Sequence, residues 1–230
     1  MKRYALLLLG AGLLFVLSCG APAGPTPTPA EVAQQSATQM AAVNSFHFII
    51  GVSGKTAFLD SAESMALRRA EGDLVRPDQV RAIAKVTLLA IPAEIGIIGL
   101  GDRQYATNPL NQQWEEVPPE ARWDLDLASL FDAEQGIAAI LQNTAWTFGA
   151  DDDEYHVLHS GMPAEQLQAL TFGLISSGEV EVDFWIGRSD RYVHRIQIVE
   201  VESDPETPTT WVIDLSAFDQ PVDIQAPPVP

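Results

Sequence analysis

Glu179-Val180-Glu181-Val182-Asp183-Phe184-Trp185-Ile186 decides the fold. Val180, Val182, Phe184 and Ile186 share one phase of a two-residue period. Glu179, Glu181, Asp183 and Trp185 take the other. Successive side chains of a strand point to opposite faces, so this stretch reads as a strand with one buried and one wet face. Arg188-Ser189-Asp190-Arg191 supplies a turn. Residues 192–201 return, residues 204–208 turn again, and residues 209–215 close a meander. One charged face per strand marks an antiparallel sheet covered on a single side.

The same pattern recurs upstream, interrupted by helical stretches. Residues 163–174 read as a short helix with Pro163 in its first turn. Residues 145–149 and 155–160 form a hairpin around Asp151-Asp152-Asp153-Glu154. Residues 126–143 read as one amphipathic helix, capped near Asp124 or Asp126. Leu127, Leu130, Phe131, Ile137, Ile140 and Leu141 make its stripe, and Gly136 weakens its middle. Residues 94–107 are strand, turn, strand about Gly101-Asp102-Arg103, with Trp114 following a loop. Residues 65–72 and 80–88 are two strands whose Ala66, Ala70, Ala82 and Ala84 share a face. Small side chains there leave space above the sheet unless a helix fills it. Residues 45–54 alternate Phe46, Phe48, Ile50 and Val52 with His47 and Ser53. Residues 30–44 form an opening helix with Val32, Met40 and Val43 near one face. The fold class is α+β: a curved antiparallel β-sheet with helices over one face.

The N-terminus carries a second message. Met1-Lys2-Arg3 is basic, residues 4–17 are apolar and uncharged, and Val16-Leu17-Ser18-Cys19-Gly20 reads as a lipobox. Residues 1–18 form a lipoprotein signal peptide. The apolar run falls short of the roughly 20 residues a membrane span needs. Cys19 is expected to carry a thioether-linked diacylglycerol and, once it becomes residue one, an N-acyl group. As the only cysteine, it leaves the mature chain without disulfides, thiolate metal sites or a cysteine nucleophile. Residues 20–29 are a proline-rich spacer, residues 30–224 one domain, and residues 225–230 a loose tail.

The formal charge of −18 excludes nucleic acid as a partner and a basic patch as a membrane contact. Attachment falls to the lipid, and two or more acyl chains anchor well. The protein is therefore placed on the extracytoplasmic face of the cell membrane. Catalysis has little support. Ser160-Gly161 lacks a nucleophile elbow and reads as a helix cap. His156 and His159 fall on opposite faces of a strand, a poor arrangement for one metal. Residues 151–154 lack EF-hand spacing and read as a solvated turn. The chain is read as non-enzymatic, with no metal and no cofactor beyond its acyl groups.

The order lipobox, spacer, helix and interrupted meander resembles the LppX/LprG-like bacterial lipoproteins over residues 30–220. Ala70-Glu71-Gly72-Asp73-Leu74-Val75-Arg76-Pro77-Asp78 is the most specific segment, similar to a Gly-x-x-x-x-Pro passage between two strands of that family. Gly101-Asp102-Arg103-Gln104-Tyr105-Ala106 with Trp114, the Ser160-Gly161 step and Asp183-Phe184-Trp185-Ile186 support it. The resemblance implies an open half-barrel with helices on its concave face, similar to the carriers LolA and LolB. It also implies an apolar cavity that holds acyl chains, and a role in moving lipids or lipoglycans across the envelope, with an envelope transporter as a possible partner.

Each buried methylene contributes about 0.8 kcal/mol, so a chain of about sixteen carbons needs about 12 kcal/mol of replacement contact. The candidate lining from the sheet is Phe46, Phe48, Ile50, Ala82, Ala84, Val86, Val182 and Phe184. The helices add Leu130, Phe131, Ile137, Leu141, Leu167 and Leu170. Residues 164–174 or the loop 109–119 are candidate gates. The same alternation serves a close-packed core equally well, and then the chain is a structural or sensory envelope lipoprotein acting through protein contacts.

Overall fold

The computed structural model describes residues 26–54, 57–58, 64–89, 91–121, 127–132, 134–150, 152–171, 173–175 and 177–229. Cys19, the signal segment, Trp123, Asp124 and Asp126 lie outside the described residues. Helix α1 (Pro29–Ala42) leads into β1 (Ser45–Ser53), β2 (Ala57–Phe58), β3 (Met65–Val75), β4 (Gln79–Leu88), β5 (Ile91–Leu100), β6 (Arg103–Thr107) and β7 (Trp114–Glu116). Helix α2 (Ile137–Asn143), strands β8 (Thr147–Phe148) and β9 (Tyr155–Pro163), and helix α3 (Gln168–Thr171) follow. Strands β10 (Glu179–Gly187), β11 (Val193–Glu200) and β12 (Thr209–Ser216) are the last described strands.

All strand pairs are antiparallel and join into one sheet, ordered β7-β6-β5-β4-β3-β1-β12-β11-β10-β9-β8, with β2 on β3. The first strand thus lies beside the last: Phe48 sits between Gly72 and Leu215, and Ile50 between Ala70 and Ile213. The sheet is curved and does not close, and the helices cover its concave face. Phe46, Phe48, Ile50, Val80, Ala82, Ala84, Val86, Val182, Phe184, Ile196 and Ile198 are buried there in one cluster with residues of α1 and α2. The opposite face is wet. Asp73 accepts hydrogen bonds from Arg81 at 2.7 Å and pairs with His47 at 2.9 Å; His159 pairs with Asp183, and Arg195 with Asp214. Burial raises the Asp73 pKa, but the hydrogen bonds from His47 and Arg81 outweigh it and hold this carboxyl below its ordinary value.

Helix α1 starts where its chemistry says. Thr28 accepts from the Glu31 amide, Glu31 reaches back to the Thr28 amide, and Pro29 occupies the first turn. The long helix expected over residues 126–143 is instead two pieces. A 3₁₀ turn, Leu127–Phe131, and α2 are separated by a bend, with Gly136 as the N-cap of α2. A Cβ on Gly136 would lie 2.5 Å from the Leu130 carbonyl oxygen, so the glycine permits a close turn that no helix could make there. The short helix expected over residues 163–174 is likewise a 3₁₀ turn, Ala164–Leu167, running into α3. Ser160 caps nothing: it lies within β9, and its hydroxyl donates to the Ala145 carbonyl at 3.2 Å.

A bulge between Leu67 and Arg69 corrects the alanine face as well. Ala70 opposes Ala84 and Gly72 opposes Ala82, but the extra residue turns Leu67 inward opposite Val86, and Ala66 falls in the other phase. Residues after β12 are also placed. Asp219 accepts from the Asn44 amide at 2.7 Å, and the Ser45 hydroxyl donates to the Gln220 carbonyl. Val222 and Ile224 then pack with Ile98 and Tyr105 in a second, smaller cluster on the outer side of β5 and β6.

Candidate functional site

The site is built where the helix layer meets one end of the half-barrel. The turn between β3 and β4 brings Arg76 under the C-terminus of α1. Its Nε donates to the Val43 carbonyl at 2.6 Å, its Nη2 to the Ala41 carbonyl at 3.2 Å, and its amide to the Asn44 carbonyl at 2.8 Å. The last turn of α1 has no basic residue of its own. Arg76 therefore supplies from another element the cation that a helix C-terminus favours. Its guanidinium also lies 4.1 Å from the ring centroid of Phe131, a cation–π contact that ties the 3₁₀ turn to the same point. Burial lowers the Arg76 pKa from its ordinary value, and the Asp219 carboxylate works the other way.

Behind this guanidinium lies a cavity of about 140 Å³, bounded by Met40 and Ala41 of α1, Phe46 of β1, Arg76, Leu130, Phe131 and Asp132 of the 3₁₀ turn, and Ile137 and Ala138 of α2. Its wall is apolar except for Arg76 and Asp132. The Asp132 carboxylate accepts the amides of Glu134 and Gln135 at 2.7 and 2.9 Å, which fixes the bend ahead of α2. Phe46 meets Phe131 edge to face at 5.3 Å, and Phe218 stacks on Tyr192 at 4.2 Å beside them. These rings fill the end of the half-barrel next to the cavity.

Of the residues proposed from the sequence as lining, Phe46, Leu130, Phe131 and Ile137 bound this cavity. Phe48, Ile50, Ala82, Ala84, Val86, Leu141, Leu167, Leu170, Val182 and Phe184 lie in the same buried cluster, packed against one another and their neighbours. Trp146 shows how tightly that part is filled. Its indole donates to the Leu141 carbonyl at 3.0 Å, and its ring meets Phe184 edge to face at 5.1 Å. Met40, Ala41, Arg76, Asp132 and Ala138 were not singled out as lining residues. The signal for Arg76 was a helix ending without a cation and an arginine just before Pro77 in a turn.

The histidines divide as their spacing requires. His159 faces the wet side and pairs with Asp183, while His156 is buried on the concave side near Phe148. Burial lowers the His156 pKa, and the positive charges of Arg188 and Arg191 lower it further. Among the described residues, no cluster of His, Cys, Asp or Glu is arranged to hold a metal ion. No helix among them is long and apolar enough to cross a membrane.

A family model of the LppX_LprAFG lipoproteins matches residues 28–224. The chain belongs to this family. The matched segment runs from the capping Thr28 of α1 to Ile224 of the second cluster, so it takes in the whole half-barrel. Two LppX_LprAFG-type structures share the fold. LprF from Mycobacterium bovis aligns with a TM-score of 0.66 at 16% identity, over 88% of this chain and 98% of that one. LppX from Mycobacterium tuberculosis aligns with a TM-score of 0.56, also at 16% identity, over 86% of this chain and 98% of that one. No curated protein sequence matches the chain significantly.

Proposed function

We propose that this lipoprotein is a non-enzymatic carrier that shelters the acyl chains of a lipid or glycolipid between its sheet and its helices. In this reading Cys19 bears the diacylglycerol and N-acyl groups, and the domain is held at the extracytoplasmic face of the cell membrane. An envelope transporter is the partner that would load or unload it. The observation that carries the reading is the apolar cavity of about 140 Å³ between helix layer and concave face, in a chain whose family is one of lipoproteins.

The size of that cavity shapes the mechanism. A dry hollow of about 150 Å³ holds one benzene, about six carbons. An acyl chain of about sixteen carbons therefore fits only if the space grows two- to threefold, which requires α1, α2 and the 3₁₀ turn to move off the sheet. The tie at Arg76 is the point where such a movement would begin. Native mass spectrometry after mild purification, followed by transfer of fluorescent lipids between vesicles, tests the reading. Retained lipid or catalysed transfer is expected; a chain that neither retains nor accepts lipid refutes it.

A second reading has its own support. The concave face away from the cavity is close-packed, with Val182, Phe184, Ile196 and Ile198 fully buried. A structural or sensory lipoprotein acting through protein contacts needs nothing more. It predicts no transfer activity and no change in hydrogen exchange of the helix layer when lipid is supplied.

A further inference from the structure

At the end of the half-barrel opposite Arg76, the β4–β5 hairpin and the loop between β6 and β7 project aliphatic side chains into solvent. Leu89 is 74% exposed, Ile91 68% and Leu110 91%, with Phe58 of β2 beside them at 37%. Strand pairing places them on one rim. Leu88 opposes both Met65 and Ile91, Phe58 opposes Ala66, and the Gln112 side-chain Nε2 donates to the Glu94 carbonyl, which folds the 108–113 loop against β5.

The backbone holds these tips in place. The Leu89 amide donates to the Ser64 carbonyl at 2.8 Å, and the Leu110 amide to the Asn108 side chain at 3.0 Å. Leu89 itself has φ 48°. A left-handed conformation at a bulky non-glycine residue carries strain, and such strain gathers at functional positions. Here it presents a leucine to water where a glycine would form the same turn without cost.

The rim is also the neutral part of an acidic molecule. Residues 86–93 and 104–114 contain no charged side chain; charge resumes at Lys85 and Glu94, paired across β4 and β5, at Glu115, which accepts from the Asn108 side chain, and in sequence at Lys55, Asp60 and Glu63 around Phe58. The formal charge of the chain is −18, so elsewhere its surface repels anionic headgroups. The three most exposed tips, Leu89, Ile91 and Leu110, are aliphatic and none is a Trp, Tyr or Arg of the kind that anchors protein interfaces. Fluid hydrocarbon needs no matching surface, and apolar side chains leave water favourably for it. A membrane is also within reach. Thr28 lies nine residues after Cys19, and a chain of that length can span at most about 30 Å.

We infer that this rim is a membrane-contact surface: Leu89, Ile91 and Leu110 insert among the acyl chains of the bilayer that holds the N-terminus. The inference is independent of the carrier reading, because a rim can rest on a bilayer whether or not the interior takes up lipid. Lipid retention tests the one and depth measurement the other.

The test uses the full, unprocessed chain carrying Cys19→Ala, which leaves an introduced cysteine as the sole thiol and retains the apolar residues 4–17 to embed in phosphatidylcholine vesicles without spanning them. A polarity-sensitive fluorophore is attached after Leu89→Cys, Ile91→Cys or Leu110→Cys, or after Asp78→Cys or Asp102→Cys in turns at the other end. Nitroxide-bearing lipids should quench the rim positions at least threefold more than the control turns. Ile91→Asp with Leu110→Asp should return quenching at position 89 to the control level. Equal quenching at both ends overturns the inference. So does a concentration-dependent blue shift at position 89 without vesicles, which would make the rim a contact between copies of this chain.

Discussion

Replacing Arg76 by methionine removes a single side chain that holds α1, the 3₁₀ turn and the β3–β4 turn at one point. The structure allows the cost to be worked out. Two charge-assisted hydrogen bonds, to the Val43 and Ala41 carbonyls, contribute about 1.5 kcal/mol each at the low end suited to a half-exposed group. The contact with the Phe131 ring adds about 0.5–1 kcal/mol. Releasing a guanidinium that burial disfavours returns part of this. The net loss is about 2–3 kcal/mol, or about 5–10 °C in Tm for a chain of this size. Arg76→Lys keeps a positive charge near the helix end but cannot span both carbonyls, and should lose about half as much. Denaturant unfolding with hydrogen exchange at residues 41–44 measures both effects. The carrier reading adds that Arg76→Met accelerates lipid uptake, because the tie that must release is already gone. If both variants unfold within 0.5 kcal/mol of the parent and the end of α1 keeps its protection, the reasoning about Arg76 is wrong.

Gly136→Ala should destabilise the domain by about 1–3 kcal/mol, since its Cβ would meet backbone atoms at 2.5–2.8 Å; thermal melts read this directly, and an unchanged Tm would show that the bend before α2 relaxes freely. Ile224→Glu should uncover Ile98 and Tyr105 and raise hydrogen exchange in β5 and β6 while leaving β10 to β12 unchanged, because the second cluster is separate from the main core. The buried His156 has a lowered pKa, so below about pH 6.5 the unfolded chain binds its proton more readily than the folded one. Its contribution is therefore present above that pH and lost as pH falls. His156→Gln should flatten the fall in stability between about pH 7 and 5 measured by denaturant titration at each pH.

Much of the sheet was legible because period-two alternation is a local property. Phe46 to Val52 and Val180 to Ile186 announce their buried face without reference to any partner. The capping pair Thr28 and Glu31 lies within four residues of sequence, yet placing the opening helix from residue 30 misses it. What else escaped depends on distance. The apolar stripe from Leu127 to Leu141 matched one helix, and only the crowding of Gly136 against the Leu130 carbonyl shows why the chain bends there. The bulge after Leu67 shifted the alternation of β3, a one-residue event that composition does not mark. Arg76 was quoted as part of a turn, yet its partners Ala41 and Val43 lie more than thirty residues away. The buried position of Ile224 likewise depends on strands that precede it by over a hundred residues. As for the lining, alternation places a residue on the concave face but does not say whether helix side chains reach down to it. That difference separates Phe131, beside the cavity, from Phe184, beneath Trp146.

The pairing of β1 with β12 also governs timing. Synthesis delivers β1 first, and its second neighbour arrives only when residues 209–216 have emerged. Until then the central strand has an open edge, and the tail that pins Asn44 and Ser45 is missing. Closing so long a loop defers the final collapse to the end of chain delivery. A chain interrupted before residue 209 is therefore expected to leave that central edge open to pairing with another chain.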